Sequence, residues 1–199
     1  MTFIKNNDIE CAKKILENNG VIAFPTETVY GLGAIASEEN YKKMVNIKKR
    51  PPNKPFTLMI SSLKQVDELV EISDIAKKII DKFAPGPITI ILKSKKNVPH
   101  FADLGSGFIG IRIPQSDFIL KLIDRIDKPL LVPSANPSGL PPATSAKEVY
   151  EYFNDSIDGI VEGNVRSNIP STIVKVENNE IILLREGEIS LKIIKEAIK

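Results

Sequence analysis

The sequence predicts an α/β fold built on a mixed sheet. Short apolar runs rich in β-branched residues alternate with amphipathic stretches of helical period along most of the chain. Two late runs are separated only by Asn178-Asn179, a pair that tolerates positive φ and suits a tight hairpin, so part of the sheet is antiparallel. No repeat, linker or low-complexity tract interrupts the pattern. The 199 residues are enough for one well-filled core, and 1–199 is expected to form a single domain.

The elements follow in order. Ile9, Ala12, Ile15 and Leu16 share one helical face behind Asp8 as N-cap, with Gly20 as the C′ residue. The strand VIAF follows. Ser37 caps a helix that turns Tyr41, Met44, Val45 and Ile47 inward and ends before Pro51. FTLMI (56–60) reads as a buried strand, then two short helices occupy 63–70 and 74–83. PITIILK (87–93) and FIGIRI (108–113) are further strands, and a helix over 117–126 leads to the strand LLV (130–132). Ser145 and Glu148 have capping-box spacing for a helix to Phe153. DGIVEG, STIVKV and IILLRE are the last strands, and Ser190 opens a terminal helix.

Composition excludes several classes. Hydrophobic residues are 42% and charged residues 26%, as in ordinary globular proteins, and the net charge of +2 permits a polyanionic partner without arguing for one. Cys11 is the single cysteine and His100 the single histidine, which leaves neither a disulfide nor a zinc set. A Ser-His-Asp triad would have to use His100, and no nucleophile elbow accompanies it. There is no signal-peptide pattern at the start and no apolar run near the ~20 residues a bilayer needs, so the cytoplasm is the expected compartment. Neither GxxxxGK[ST] nor GxGxxG is present, so any ATP use rests on another scaffold.

Four stretches could carry chemistry. FPTETVYGLG (24–33) breaks a strand at Pro25 with hydroxyls, an acid and two glycines, as either an ordinary turn or a pocket wall. Residues 42–54 hold six Lys or Arg and no acid. Lys48, Lys49 and Arg50 complement a helix C-terminus, yet Lys54 among prolines suits a fixed polyphosphate site. The loop 132–145 has four prolines in fourteen residues and begins at a strand end, with Ser134 and Asn136 two apart. Local turn bonds alone would also account for its Ser and Asn. Arg112 alternates with Ile111 and Ile113, so it faces away from them, into solvent or into a cleft that needs a cation. Arg185 poses the same choice, and PSTIV (170–174) sets two hydroxyls at a strand start.

FPTETVYGLGA, IKKRPPNKPFTLMI, PGPITIIL, IGIRIP, VPSANPSG, STIV and LLREG, in this order, resemble the YrdC/TsaC family, the threonylcarbamoyl-AMP synthases. The resemblance covers nearly the whole chain. It implies a twisted sheet with flanking helices around a large open cleft, and a nucleotidyltransferase reaction. L-threonine, bicarbonate and ATP, with Mg²⁺ on its phosphates, give threonylcarbamoyl-AMP and pyrophosphate. Partner transferase machinery then modifies tRNAs that read ANN codons, and direct tRNA contact is possible. Lys48, Arg50 and Lys54 resemble the ATP-contacting basic loop, with Lys48 and Arg50 as the catalytic pair. Ser134, Asn136, Pro142 and Arg185 resemble further ATP contacts, and Thr28, Tyr30, Arg112 and Ser171 a threonine site. The glycines are expected to allow a close turn beneath the substrate, and Glu27 is left open. No protein-bound metal site is expected. Some relatives carry a histidine where this chain has Met59, and the end at Lys199 resembles the short form. The rival reading is an RNA-binding module that uses a basic cleft without catalysis, although no RNP, KH or similar signature is present.

Overall fold

In the computed structural model, which describes every residue except Pro52, the strands are β1 (Thr2–Ile4), β2 (Ile22–Pro25), β3 (Tyr30–Ile35), β4 (Leu58–Met59), β5 (Ile88–Lys93), β6 (Phe108–Arg112), β7 (Leu130–Leu131), β8 (Gly159–Val161), β9 (Thr172–Glu177) and β10 (Glu180–Arg185). They join in one open mixed sheet, in the order β1-β8-β2-β3-β7-β4-β6-β5-β9-β10. The helices are α1 (Ile9–Glu17), α2 (Glu38–Lys48), α3 (Asp74–Phe83), α4 (His100–Asp103), α5 (Asp117–Ile126), α6 (Ala146–Phe153) and α7 (Leu191–Ala197). No helix is long and apolar enough to cross a membrane among the described residues.

Local chemistry starts and stops these elements where the residue types demand it. Asp8, Ser37, Ser73, Ser145 and Ser190 each accept a backbone N–H from the first turn of the helix they precede. α1 closes in a Schellman turn, but the left-handed residue is Asn19, with φ 57°, and not Gly20. The Gly20 N–H bonds Ile15 O at 2.9 Å, and a Cβ at Gly20 would lie 2.5 Å from the Ile15 side chain, so this glycine answers a demand for space. α2 ends the same way on Lys49, whose φ of 50° swings Arg50 out of the helix. Asn178 and Asn179 both take positive φ in the β9–β10 hairpin.

Three expectations are corrected. Within 24–33, left as a turn or a pocket wall, residues 30–33 belong to a strand, β3, an antiparallel partner of β2. Its glycines sit in extended backbone because of their neighbours: a Cβ at Gly31 would lie 2.8 Å from Val132 and one at Gly33 would lie 2.4 Å from the Phe24 ring. The helix expected over 63–70 is one 3-10 turn, Leu63–Val66, and the strand expected over 56–60 pairs only at β4. Pro52, one of the prolines expected to stiffen the basic loop, lies outside the described residues.

Two apolar clusters fill the two faces of the sheet. On one face, α1 and α5 pack Ala12, Leu16, Ile119, Leu122 and Ile123 against Ile22, Phe24, Leu130 and Val161. That layer ends at Met59 and Val132, which belong to the same cluster. Gly33→Ala tests how tightly the hairpin is packed. Phe24 is completely buried and cannot yield, so the variant should lose about 1–3 kcal/mol in urea unfolding with an unchanged m-value.

Candidate functional site

Beyond Met59 and Val132 the same sheet face is open, and a cleft of about 720 Å³ lies over it. Side-chain alternation decides what the floor displays. In register, Met59 lies beside Arg112, Thr89 beside Ile173, and Ile173 beside Arg185, so one row across the central strands points into the cleft. The intervening Leu58, Ile111, Ile90 and Val174 go to the opposite core. The choice left open for Arg112 and Arg185 is thereby settled: both border the cleft, as does Ser171.

The wall made by residues 26–29 is organised by Thr26, a residue the sequence reading passed over. Its hydroxyl accepts from the Thr28 and Val29 N–H groups at 3.1 and 3.2 Å and donates to Val29 O at 2.7 Å. Arg112 Nη2 donates to Thr28 Oγ1 at 3.0 Å, and Thr28 Oγ1 in turn lies 2.9 Å from Thr26 Oγ1. The threonine pair therefore forms a polarised chain starting at the guanidinium. Thr-x-Thr before a strand was the available signal. Tyr30 borders the cleft, but its ring is buried and its hydroxyl donates to Gly163 O at 2.7 Å and Val161 O at 3.2 Å. Burial pushes that phenol up to about 12. Tyr30, expected at the threonine site, thus lines the cleft while its hydroxyl is used by the backbone of 161–163.

Glu27, left open by the sequence, is the counter-ion of Arg112. Its Oε1 lies 3.0 Å from Arg112 Nη2, and both side chains are at least nine-tenths buried. The approach is off the N–H direction, so the charges pair without a hydrogen bond, and Arg112 Nε also lacks a protein partner.

The other two arginines are held by backbone oxygens. Arg185 Nε and Nη2 donate to Ser171 O at 3.0 and 2.8 Å, and Nη2 reaches Ser171 Oγ at 3.1 Å. Ser171 Oγ is also 3.1 Å from Thr89 Oγ1. Arg50 donates to Lys54 O and Pro55 O at 3.2 and 3.3 Å and lies 5.1 Å from the Phe56 ring centroid. Burial lowers the pKa of both, and the charge of Arg112 adds to the effect at Arg185.

Four expected contacts lie elsewhere. Lys48 is only 2% exposed and does not border the cleft. Its ammonium donates to the carbonyls of Ser134 and Asn136, and burial, with a smaller effect from Arg50, lowers it to about 7. Ser134 does border the cleft, and its hydroxyl donates to Asn136 Oδ1 at 2.6 Å. Asn136 uses its amide within the loop, donating to Pro137 O at 3.0 Å and Leu140 O at 2.7 Å. Lys54 is exposed, and neither it nor Pro142 borders the cleft. The basic loop brings one charge to the site through Arg50, because the left-handed Lys49 separates the directions of its neighbours.

The Glu27–Arg112 pair should behave as a buried ion pair. Glu27→Ala is expected to cost about 3–5 kcal/mol in chemical denaturation, because it strands a buried charge. Adding Arg112→Met should recover much of that loss. Equal losses in the single and double variants would show that the charges are not coupled.

Comparisons with known proteins identify the family. The Sua5/YciO/YrdC family model, described as telomere recombination, matches residues 14–187. A Methanocaldococcus jannaschii protein is 37% identical over 92% of this chain and 87% of its own length. The threonylcarbamoyl-AMP synthase of Pyrococcus abyssi is 37% identical over 96% of this chain, which spans 57% of that protein. The crystal structure of P. abyssi Sua5 complexed with L-threonine superposes with a TM-score of 0.92 at 34% identity, covering 99% of this chain and 60% of that one. By sequence and by fold, the chain belongs to the Sua5/YciO/YrdC family.

Proposed function

We propose that this chain is a threonylcarbamoyl-AMP synthase, converting L-threonine, bicarbonate and ATP into threonylcarbamoyl-AMP and pyrophosphate. The observation that carries the reading is three guanidinium groups, Arg50, Arg112 and Arg185, on one cleft whose described lining contains no carboxylate and no imidazole. Relatives named for this activity, and the L-threonine complex of P. abyssi Sua5, support it.

The chemistry needs such a cleft. The threonine amine and bicarbonate condense to an N-carboxylate with loss of water. One oxygen of that carbamate then attacks the α-phosphorus, a new P–O bond forms, and the α–β bridge breaks to release pyrophosphate. Both reactants are anions, so the barrier contains their mutual repulsion. Fixed cations remove that term without reorganising as the reaction proceeds. Arg112, held from behind by Thr28 and lining the cleft, suits the amino-acid carboxylate as its cation. Thr89 and Ser171 offer hydroxyls beside it, and Met59 gives the floor an apolar patch that matches the threonine methyl. Arg50, Phe56 and Ser134 line the opposite wall and suit the nucleotide, with Arg185 bridging towards the phosphates.

ATP enters as its magnesium complex. The cleft lining presents hydroxyls and carbonyls but no acidic side chain, and no cluster of metal-ligating side chains occurs among the described residues. The residues do not make a protein metal site, and the phosphates themselves are the ligands that fit the ion. The product is a mixed anhydride that a partner transferase would pass to the adenosine next to the anticodon in tRNAs reading ANN codons.

Pyrophosphate release by purified protein, with L-threonine and bicarbonate each present or omitted, tests the reading. Release is expected only with both. Folded protein that binds RNA with strong salt dependence and releases none would favour the RNA-binding alternative. Arg112→Ala should raise KM for threonine at least tenfold with little change in KM for ATP, and an unchanged threonine dependence would remove Arg112 from that role.

A further inference from the structure

Lys48 is tied to the 134–138 loop by both of its ends. Its ammonium donates to Ser134 O and Asn136 O and lies 3.4 Å from Asn136 Oδ1, while its backbone carbonyl accepts the Ser138 N–H at 2.8 Å. No ion pair to Lys48 occurs among the described residues. An ammonium with three N–H groups and three oxygens around it is matched donor for acceptor. A buried cation without a counter-ion is otherwise expensive, and a packed apolar side chain would serve stability better. The loop it grips carries Ser134, whose carbonyl faces Lys48 and whose hydroxyl, set by Asn136 Oδ1, borders the cleft.

We propose that Lys48 is a positioning residue: its ammonium draws the Ser134 and Asn136 carbonyls together and so fixes the loop that presents Ser134 to the cleft that Arg50 also lines. The proposal refines the synthase reading and, for its kinetic part, rests on it. Lys48 then acts on ATP through the loop and does not touch it. The left-handed C-cap at Lys49 thereby separates the two cations beside it, with Arg50 turned to the cleft and Lys48, the last residue of α2, turned to the wall behind it. The same arrangement explains why the Asn136 amide is spent on Pro137 O and Leu140 O. Asn136 completes the grip from the loop side.

The test is Lys48→Met, which keeps the length and removes every donor. Two readouts separate positioning from general support. Amide hydrogen exchange over 133–143, measured without substrates, should speed up at least tenfold while the central strands stay protected. KM for ATP should rise about tenfold or more with KM for threonine within twofold, and the melting temperature should not fall. Lys48→Arg keeps the charge but spreads its N–H groups in a plane, so the same pattern is expected at smaller amplitude, and it stands in for K48M should that variant not fold. Wild-type exchange in the loop, or equal shifts in both KM values, would overturn the proposal. Because exchange needs no turnover, a wild-type protein that releases no pyrophosphate would sink the functional reading while leaving this test intact.

Discussion

The site depends on how the fold holds several cations close together without neutralising them. The usual partner of a half-buried arginine or lysine is a carboxylate, which fixes the side chain but cancels its charge. Here Arg50 is held by Lys54 O and Pro55 O, Arg185 by Ser171 O, and Lys48 by Ser134 O and Asn136 O. A carbonyl dipole orients a guanidinium while leaving its net charge to act on whatever enters the cleft. Burial lowers the pKa of Arg50 and of Arg185, and the charge of Arg112 adds to the effect at Arg185 alone. Arg112 is the exception, and Glu27 reaches it from behind the 26–29 wall, outside the cleft lining.

Those carbonyls belong to loops, where a backbone oxygen with two lone pairs can take a side-chain donor. The sheet brings β4, β6, β5, β9 and β10 side by side, and alternation delivers Met59, Arg112, Thr89 and Arg185 to one face. The α1–α5 layer stops short of that face at Met59 and Val132. Loops at 50–56, 133–138 and 170–171 then rise around an uncovered floor, and the oxygens of Lys54, Pro55, Ser134, Asn136 and Ser171 lie outside the named strands. The cations supply those donors. Polar satisfaction of the loops and electrostatic preparation of the cleft are thus one set of hydrogen bonds.

This division explains which parts of the architecture were legible in the chain. α3 and α5 were readable to the residue because their apolar period is regular and the flanking residues are strong stop signals. β3 was not, because Gly31 and Gly33 remove the β-type side chains that normally mark a strand, and the reason for them is the Phe24 ring and Val132. Arg112 could be assigned to a face from Ile111 and Ile113 alone. Lys48 could not: sequence periodicity ranks a lysine as a solvent residue, and only the long-range approach of residues 134–138 gives its ammonium acceptors inside. The family resemblance pointed to the basic loop but could not tell which of its cations lines the cleft. That depends on Lys49 adopting the left-handed conformation.

Lys48 and Glu27 also show what the arrangement costs. A buried ammonium matched only to carbonyls, and a buried carboxylate with oxygens lacking donors, are both worse for stability than apolar residues of equal volume. Sequences depart from local consistency chiefly where a site demands it. The two departures lie behind different segments of the cleft wall, Glu27 in the 26–29 turn and Lys48 behind the 133–138 loop. Each controls the residues that would meet a different substrate. A reaction between two anions gains most from such rigidity, because any wall that relaxed under their charge would give back the stabilisation its cations supply.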